Sequence, residues 1–196
     1  MSLAPQFEEL EQQHQAYSLG MWFFLASELM LFGGLFLAYS YGRYHHGAEW
    51  SQASLQMERL LGAVNTAVLL TSSTVMAFAV DRRQHRRPLL MLCAILGLTF
   101  LGVKAYDWKQ EFFYHKFPSD GFQGTAAERL FFFFYFTLTG LHAFHLSAGI
   151  LAVLIFAWSE QRRNQDEVHM LGLYWHLVDL LWFFLYPLLY LIGNRA

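Results

Sequence analysis

The chain has few of the residues that stabilise or organise soluble proteins. Its 196 residues include one cysteine, Cys93, four prolines, and only 14% Asp, Glu, Lys and Arg. A single cysteine excludes an internal disulfide and a metal site built from several cysteines. With a net charge of −2, the chain lacks the excess of basic residues that is expected of a protein that binds nucleic acid. The acidic start, with Glu8, Glu9 and Glu11, lacks the basic flank of a signal peptide, so we expect the first apolar segment to be retained.

Apolar and aromatic residues are abundant instead. Hydrophobic residues make up 56% of the chain, with 20 Phe, 10 Tyr and 6 Trp, which is typical of an integral membrane protein. A helix needs about 20 apolar residues to cross roughly 30 Å of hydrocarbon. Five segments have this length: Ser18 to Tyr41, Gly62 to Val80, Leu89 to Trp108, Leu130 to Trp158 and Gly172 to Gly193. The sequence therefore predicts an all-α integral membrane protein, in which residues 1–196 form a single membrane domain, a bundle of five transmembrane helices.

Four arginines crowd into the short loop between the second and third spans: Arg82, Arg83, Arg86 and Arg87. With this cluster included, Lys and Arg are balanced across the membrane, six on each side, but short loops carry most of the positive-inside bias. The cluster therefore predicts a cytoplasmic N-terminus, and five spans then put the C-terminus on the opposite side. These arginines could also bind anionic lipid headgroups, although a topology signal alone is the simpler interpretation.

Glu28 is the one carboxyl at mid-depth in the predicted spans. At ~1.5 Å per residue, it lies about 15 Å from the N-terminal side, and His145, on a span of opposite direction, lies about 18 Å from it. We predict that the two meet near the midplane. A charged carboxylate is costly there, so Glu28 should be protonated, or paired with a donor such as His145 or Ser27. Alternatively, Glu28 is a protonated acid that only fixes helix packing.

His142 and His145 share one face of the fourth span, which raises the possibility of a metal site. A di-iron site would need about four carboxylates from neighbouring helices, and Glu28 is alone at this depth. Bis-histidine haem ligation would need a second histidine at matching depth, yet His176 lies roughly 12 Å from the level of His145. Redox chemistry within this chain is therefore not expected. Packing and hydrogen bonding to neighbouring helices is the expected role of both histidines.

The last span carries His176 and Asp179 one helical turn apart, where a hydrogen bond can satisfy both. An ionisable pair in lipid must face other helices, a cavity or a partner subunit. We therefore expect the pair to join this helix to its neighbours. Asp179→Asn should then weaken the assembly of the chain with its partners more than it changes the intrinsic chemistry of the assembled complex. The alternative is two hydrated residues at the membrane interface. Pro187 should kink the span.

Lys104 and Asp107 form a second one-turn pair, near the far end of the third span. Tyr106 and Trp108 beside them are typical of the membrane interface. This pattern predicts a helix-end ion pair in the headgroup layer.

Several motifs in this order resemble subunit III of haem-copper oxidases, over about Leu19 to Gly193. They are Gly20-Met21-Trp22, Ser27-Glu28, Phe36-Leu37-Ala38-Tyr39, Asn65-Thr66, Thr139-Gly140-Leu141-His142-Ala143-Phe144-His145 with Gly149, and Trp175-His176-Leu177-Val178-Asp179-Leu180-Leu181-Trp182. The last two motifs are fairly specific together and weak alone. Members of the family have seven spans, or five where the first two are missing, and this chain resembles the five-span bacterial form.

The resemblance implies a non-catalytic subunit of a proton-pumping cytochrome c oxidase. Such a subunit binds no haem or copper, which belong to partner subunits. It packs mainly against subunit I, with subunit II and other subunits in the complex, holds phospholipid, and supports proton uptake in aerobic respiration. Glu28 matches a buried carboxyl of the family that reacts with carbodiimides, and Asp107 stands where many members have Glu. The location implied is a bacterial cytoplasmic (inner) membrane, with the C-terminus in the periplasm.

Three other functions stay open at this point. An accessory subunit of nitric oxide reductase would share the last-span motif, and a quinol oxidase subunit III would differ only in an electron donor that this chain does not touch. A small membrane transporter would use Glu28 and the histidines as a relay. Transporters of this kind usually show repeats or paired broken helices. The sequence has only Pro187 as a helix breaker within a span.

Overall fold

The computed structural model describes residues 9–119, 122, 124–159, 165–191 and 193. Among these residues, five helices are long and apolar enough to cross a membrane, which confirms the predicted all-α membrane bundle. The elements are α1 Leu10–His45, α2 Gly47–Leu55, α3 Arg59–Asp81, a 3-10 turn Arg83–His85, α4 Arg86–Phe113, α5 Ala126–Trp158, α6 Gln165–Tyr186 and a π-helical segment Pro187–Leu191. Arg162 and Arg163, which count toward the balance of Lys and Arg between the two sides, lie outside the described residues.

Helices α3 to α6 form the core of the bundle. Helix α3 packs against α4 and α6, and α5 packs against the same two helices, so the four close into a ring. Helix α1 lies outside this ring, against α5 and α6. Only 11% of the apolar stretch of α1 is buried within the chain, against 50% for the last span. Most of α1 is therefore available to lipid or to other subunits.

The short helix α2 is absent from the sequence-based prediction, because its nine residues have no membrane-length apolar run. Its Trp50 is fully buried, with ring centroids 4.8 Å from Tyr39 and 5.7 Å from Phe131. A Cβ atom at Gly42 would lie 2.6 Å from Trp50 Cη2, so glycine is needed where α2 folds back on α1. Helix α2 thus closes the bundle at the end of α1.

The last span changes its helix geometry at Pro187, the residue at which the sequence predicts a kink. Helix α6 ends at Tyr186 and the chain continues as a π-helical segment. Backbone carbonyls of that segment accept hydrogen bonds from other helices: the Tyr39 hydroxyl donates to Leu188 O at 2.9 Å, and the Ser54 hydroxyl donates to Leu189 O at 2.8 Å. These bonds join the end of the last span to α1 and α2.

Candidate functional site

Four polar side chains meet inside the bundle near the far end of α4. Lys104 Nζ lies 2.8 Å from Asp107 Oδ2, and it donates to the hydroxyls of Tyr135 at 2.8 Å and Tyr190 at 2.7 Å. Both hydroxyls also donate to Asp107 Oδ2, at 2.8 and 2.9 Å. All four side chains are buried. This cluster, which we call the Lys104 cluster, ties α4 to α5 and to the π-helical segment.

The predicted ion pair is formed, but the expectation that it lies at the end of the helix was wrong. Helix α4 continues past Asp107 to Phe113, and the pair is enclosed by other helices. The flanking aromatic residues suggested an interface, but Tyr106 is exposed while Trp108 donates to Thr139 Oγ1 at 3.2 Å. The buried partners, Tyr135 and Tyr190, are 31 and 86 positions from Lys104, so the local spacing held no signal for them.

A buried ion pair is stable only when its remaining donors and acceptors are used. The three hydrogen bonds from Lys104 use every ammonium proton, and Asp107 Oδ2 accepts three bonds. The ammonium group also lies 4.5 Å from the centre of the Tyr135 ring, a favourable cation–π distance. Asp107 Oδ1 has no partner among the described residues.

His142 of α5 lies between aromatic rings of two other helices, α4 and α6. Its ring centroid is 5.5 Å from that of Phe100 and 5.2 Å from that of Trp182. Neither ring nitrogen has a hydrogen-bond partner within the described part of the chain, although the side chain is fully buried. The predicted packing role fits this position, whereas the predicted hydrogen bond to a neighbouring helix is not found there.

Glu28 and His145 come together across α1 and α5, at the contact predicted from their depths. Glu28 Oε2 lies 2.8 Å from His145 Nε2, a distance that makes an ion pair when the imidazole is protonated. His145 Nδ1 lies 2.8 Å from the Leu141 carbonyl of its own helix. The Tyr174 hydroxyl of α6 donates to His145 O at 2.8 Å. Three helices therefore meet at this pair, which can hold or exchange a proton.

Ser27, the other predicted donor for Glu28, points elsewhere. Its hydroxyl donates to the Phe24 carbonyl in the preceding turn of α1. The described residues contain no group of three or more His, Cys, Asp or Glu placed to hold a metal ion.

The predicted pair of His176 and Asp179 is not formed within the described residues. His176 Nδ1 instead lies 2.7 Å from the Ser73 hydroxyl of α3. Asp179 is buried and lies beside the Ser73 hydroxyl instead of bonding to His176. The one-turn spacing permits a bond, but α3 packs closely enough to offer His176 a better-placed hydroxyl. His176 thus joins α6 to α3 without Asp179.

The arginine cluster divides into exposed and buried members. Arg82, Arg83 and Arg87 are exposed, as lipid-facing residues would be. Arg86 is buried, and its guanidinium donates to Ala79 O at 3.2 Å and to the Gln165 side chain. The expectation that Arg86 binds lipid headgroups was therefore wrong. It clamps the end of α3 and the start of α6 to the start of α4.

Comparison with known proteins gives a consistent result. The family described as "Cytochrome c oxidase subunit III" matches residues 9–194. The chain is 30% identical to cytochrome c oxidase subunit 3 of Thermostichus vulcanus, covering 89% of this chain and 86% of that protein. It is also 30% identical to a probable quinol oxidase subunit 3 of Staphylococcus aureus, covering 89% and 88%.

A third relative joins two subunits in one polypeptide. The chain is 29% identical to haem-copper oxidase subunit I+III of Aeropyrum pernix, covering 88% of this chain and 22% of that longer protein.

Proposed function

Because the chain belongs to the cytochrome c oxidase subunit III family, we propose that it acts as a non-catalytic subunit of a proton-pumping haem-copper terminal oxidase in aerobic respiration. In this proposal, haem and copper are held by partner subunits, where dioxygen is reduced to water. The present chain stabilises subunit I and supports its proton uptake. Its own buried polar groups are engaged mainly in joining helices, as the Lys104 cluster illustrates.

The contact of Glu28 with His145 is the observation that carries the proton-supporting role. It places an acid of α1, the candidate span that is least buried by the rest of the described chain, 2.8 Å from a base of α5. A proton can pass between such groups at small cost when their affinities are similar. Since most of α1 is open to neighbours, this pair lies close to whatever subunit or lipid covers that helix.

Subunit I is the partner implied by the family, and a relative that carries both subunits in one chain supports this. We propose subunit I as the main contact, with subunit II and further subunits in the same complex. Phospholipid headgroups would bind the exposed arginines Arg82, Arg83 and Arg87, since basic side chains beside a span attract anionic lipid.

The chain is a multi-pass membrane protein, with five candidate spans. We propose that it resides in a bacterial cytoplasmic membrane, with its N-terminus in the cytoplasm and its C-terminus in the periplasm. The exposed arginines around the start of α4 support this orientation.

A quinol oxidase is the second candidate complex. The Staphylococcus aureus relative is named a probable quinol oxidase subunit 3 and is as similar to this chain as the cytochrome c oxidase subunit. The two complexes differ in their electron donor, which binds to other subunits.

Purification of the chain with its partners tests the proposal. A tag after Ala196, solubilisation in mild detergent, reduced-minus-oxidised spectra and mass spectrometry should reveal haem and a multi-span subunit I. Haem c or a binuclear copper signal would indicate cytochrome c as donor, and their absence with quinol oxidation would indicate quinol. A colourless chain with no haem partner would contradict the assignment.

A further inference from the structure

The end of α4 begins a row of four charged side chains. In chain order they are Lys104, Asp107, Glu111 and Lys116, so two carboxylates stand between two ammonium groups. Lys104 and Asp107 belong to the Lys104 cluster, and Glu111, one helical turn after Asp107, is equally buried. Glu111 Oε2 lies 2.9 Å from Lys116 Nζ. The row therefore extends the Lys104 cluster to the C-terminal end of the helix.

Lys116 is positioned by the turn that follows α4. His115 has a φ of 54°, a left-handed conformation that reverses the chain, and Lys116 N donates to Glu111 O at 3.1 Å. This backbone bond brings the Lys116 side chain back over the buried carboxylate. Its ammonium group also donates to Gln56 O at 3.3 Å, at the end of α2. The pair of Glu111 and Lys116 thus fastens the loop after α4 to the turn between α2 and α3.

Lys116 is the member of the row that reaches the surface. Its side chain is 17% exposed, against 2% or 3% for the other three. With all four side chains charged, the row is neutral. Without the Lys116 ammonium, two carboxylates would share one buried cation, and a buried carboxylate that lacks a counter-charge takes up a proton. Departure of Lys116 and uptake of one proton are therefore coupled by charge balance.

The titratable and charged groups that face Glu111 come from three segments. They are Lys104 and Asp107 of α4, Lys116 of the loop and Tyr190 of the π-helical segment. Helix α2 adds the uncharged Gln56 carbonyl, and α5 adds the ring of Phe132, centred 5.7 Å from Lys116 Nζ. Lys104 is held by three hydrogen bonds inside the bundle, so Lys116 is the cation that can move away.

We propose that Glu111 is a proton-binding site open to the C-terminal side of the membrane, with Lys116 as its latch. A proton bound to Glu111 replaces the Lys116 ammonium, which turns out into water and releases Gln56. Asp107 Oδ1, one turn away and without a hydrogen-bond partner among the described residues, can share the proton. The latch opens as the pH on this side falls. This inference goes beyond the proposed function, on which only the identification of this side as the periplasm rests.

Hydrogen exchange measured on the purified complex tests the latch. The Lys116 amide bonds to Glu111 O in the closed turn, so peptides covering residues 114–119 should be protected at neutral pH. At about pH 5 their exchange, corrected for the intrinsic rate, should be about tenfold faster, because a bond to a charged group is lost. Glu111→Gln should exchange fast at both pH values, whereas Glu49→Gln, at an exposed position, should behave as the unsubstituted chain. Equal protection of the unsubstituted chain at both pH values would overturn the proposal.

Infrared spectroscopy identifies the group that binds the proton. Acidification should add a band of protonated carboxyl in the unsubstituted complex, and Glu111→Gln should lack that band. Lys116→Met removes the counter-charge, so it should show the band already at neutral pH, while Lys109→Met, at an exposed position of α4, should not. A band retained in full in Glu111→Gln, or missing from Lys116→Met at neutral pH, would overturn the proposal. Failure of subunit I to purify with the chain would instead contradict the proposed function, and both measurements can then be made on the full chain alone.

Discussion

Lys104 Nζ and Asp107 Oδ2 lie 2.8 Å apart inside the membrane-spanning bundle, both buried. They are one helical turn apart on α4, and they also hydrogen-bond to hydroxyls from α5 and from the π-helical segment. The pair therefore acts as a junction of three elements rather than as the end of one helix. Its stability depends on every member, since a buried charge without its counter-charge is costly.

Lys104→Met should strongly destabilise the chain. Methionine preserves most of the volume but leaves the Asp107 charge uncompensated, at a cost of about 3–5 kcal/mol. The free energy of unfolding in detergent, or the thermal stability of the purified complex, would measure the loss. Lys109→Met, at an exposed position of the same helix, should have little effect.

A double substitution separates the charge from the packing. Lys104→Met combined with Asp107→Leu should recover part of the loss, because both charges are then absent. A double variant less stable than Lys104→Met alone would contradict this account.

Asp179→Asn should change stability and assembly far less than Asp107→Asn. The Asp179 carboxyl lies beside the Ser73 hydroxyl, from which an amide oxygen can still accept a hydrogen bond, and the amide removes a carboxyl that is costly to bury; we expect a change within about 1 kcal/mol. Asp107→Asn instead removes the counter-charge of Lys104, at about 3 kcal/mol or more. Yield of the complex with subunit I measures both. A severe assembly defect from Asp179→Asn would contradict this account and support the sequence-based expectation that Asp179 is needed for assembly.

Gly42→Ala should loosen α2 from α1. The new methyl group would lie 2.6 Å from the Trp50 ring, and relieving this overlap costs about 1–3 kcal/mol. Trp50 fluorescence and thermal stability would report the displacement. Gly34→Ala is the matched control on the same helix: nothing lies within 4 Å of its Cβ, and alanine should stabilise the helix by about 0.5–1 kcal/mol. Similar losses from both variants would show that the ring contact is unimportant.

Glu28→Gln should preserve assembly while impairing proton support. The amide keeps the size of the side chain and can still bond to His145, but it cannot release a proton. We expect normal recovery of subunit I, with slower proton uptake and faster loss of activity during sustained turnover of the purified complex. Glu49→Gln, on the exposed side of α2, controls for removal of a carboxylate. Unchanged turnover and lifetime in Glu28→Gln would reduce the pair to a packing contact.

Depth along a helix was the most successful sequence-based argument about side-chain contacts. Rise per residue placed Glu28 and His145 at similar levels on antiparallel spans, and the structure brings them within 2.8 Å. The argument works because a membrane-spanning helix runs across the bilayer, so the depth of a residue follows from its position along the helix. Spacing within one helix was less informative. His176 and Asp179 could bond by their spacing, yet His176 contacts Ser73, because lateral position between helices is set by packing.

The sequence by itself determined the membrane location, the five spans, the family and the change of helix geometry at Pro187. These follow from apolar length, motif order and backbone chemistry, which act locally along the chain. Tertiary structure alone decided that Arg86 is buried while Arg82, Arg83 and Arg87 are exposed, and that Trp50 closes the bundle through α2. It also brought Tyr135 and Tyr190 onto Lys104 and Asp107. Such contacts join residues far apart in the chain, and only the packing of helices against one another selects which polar groups meet.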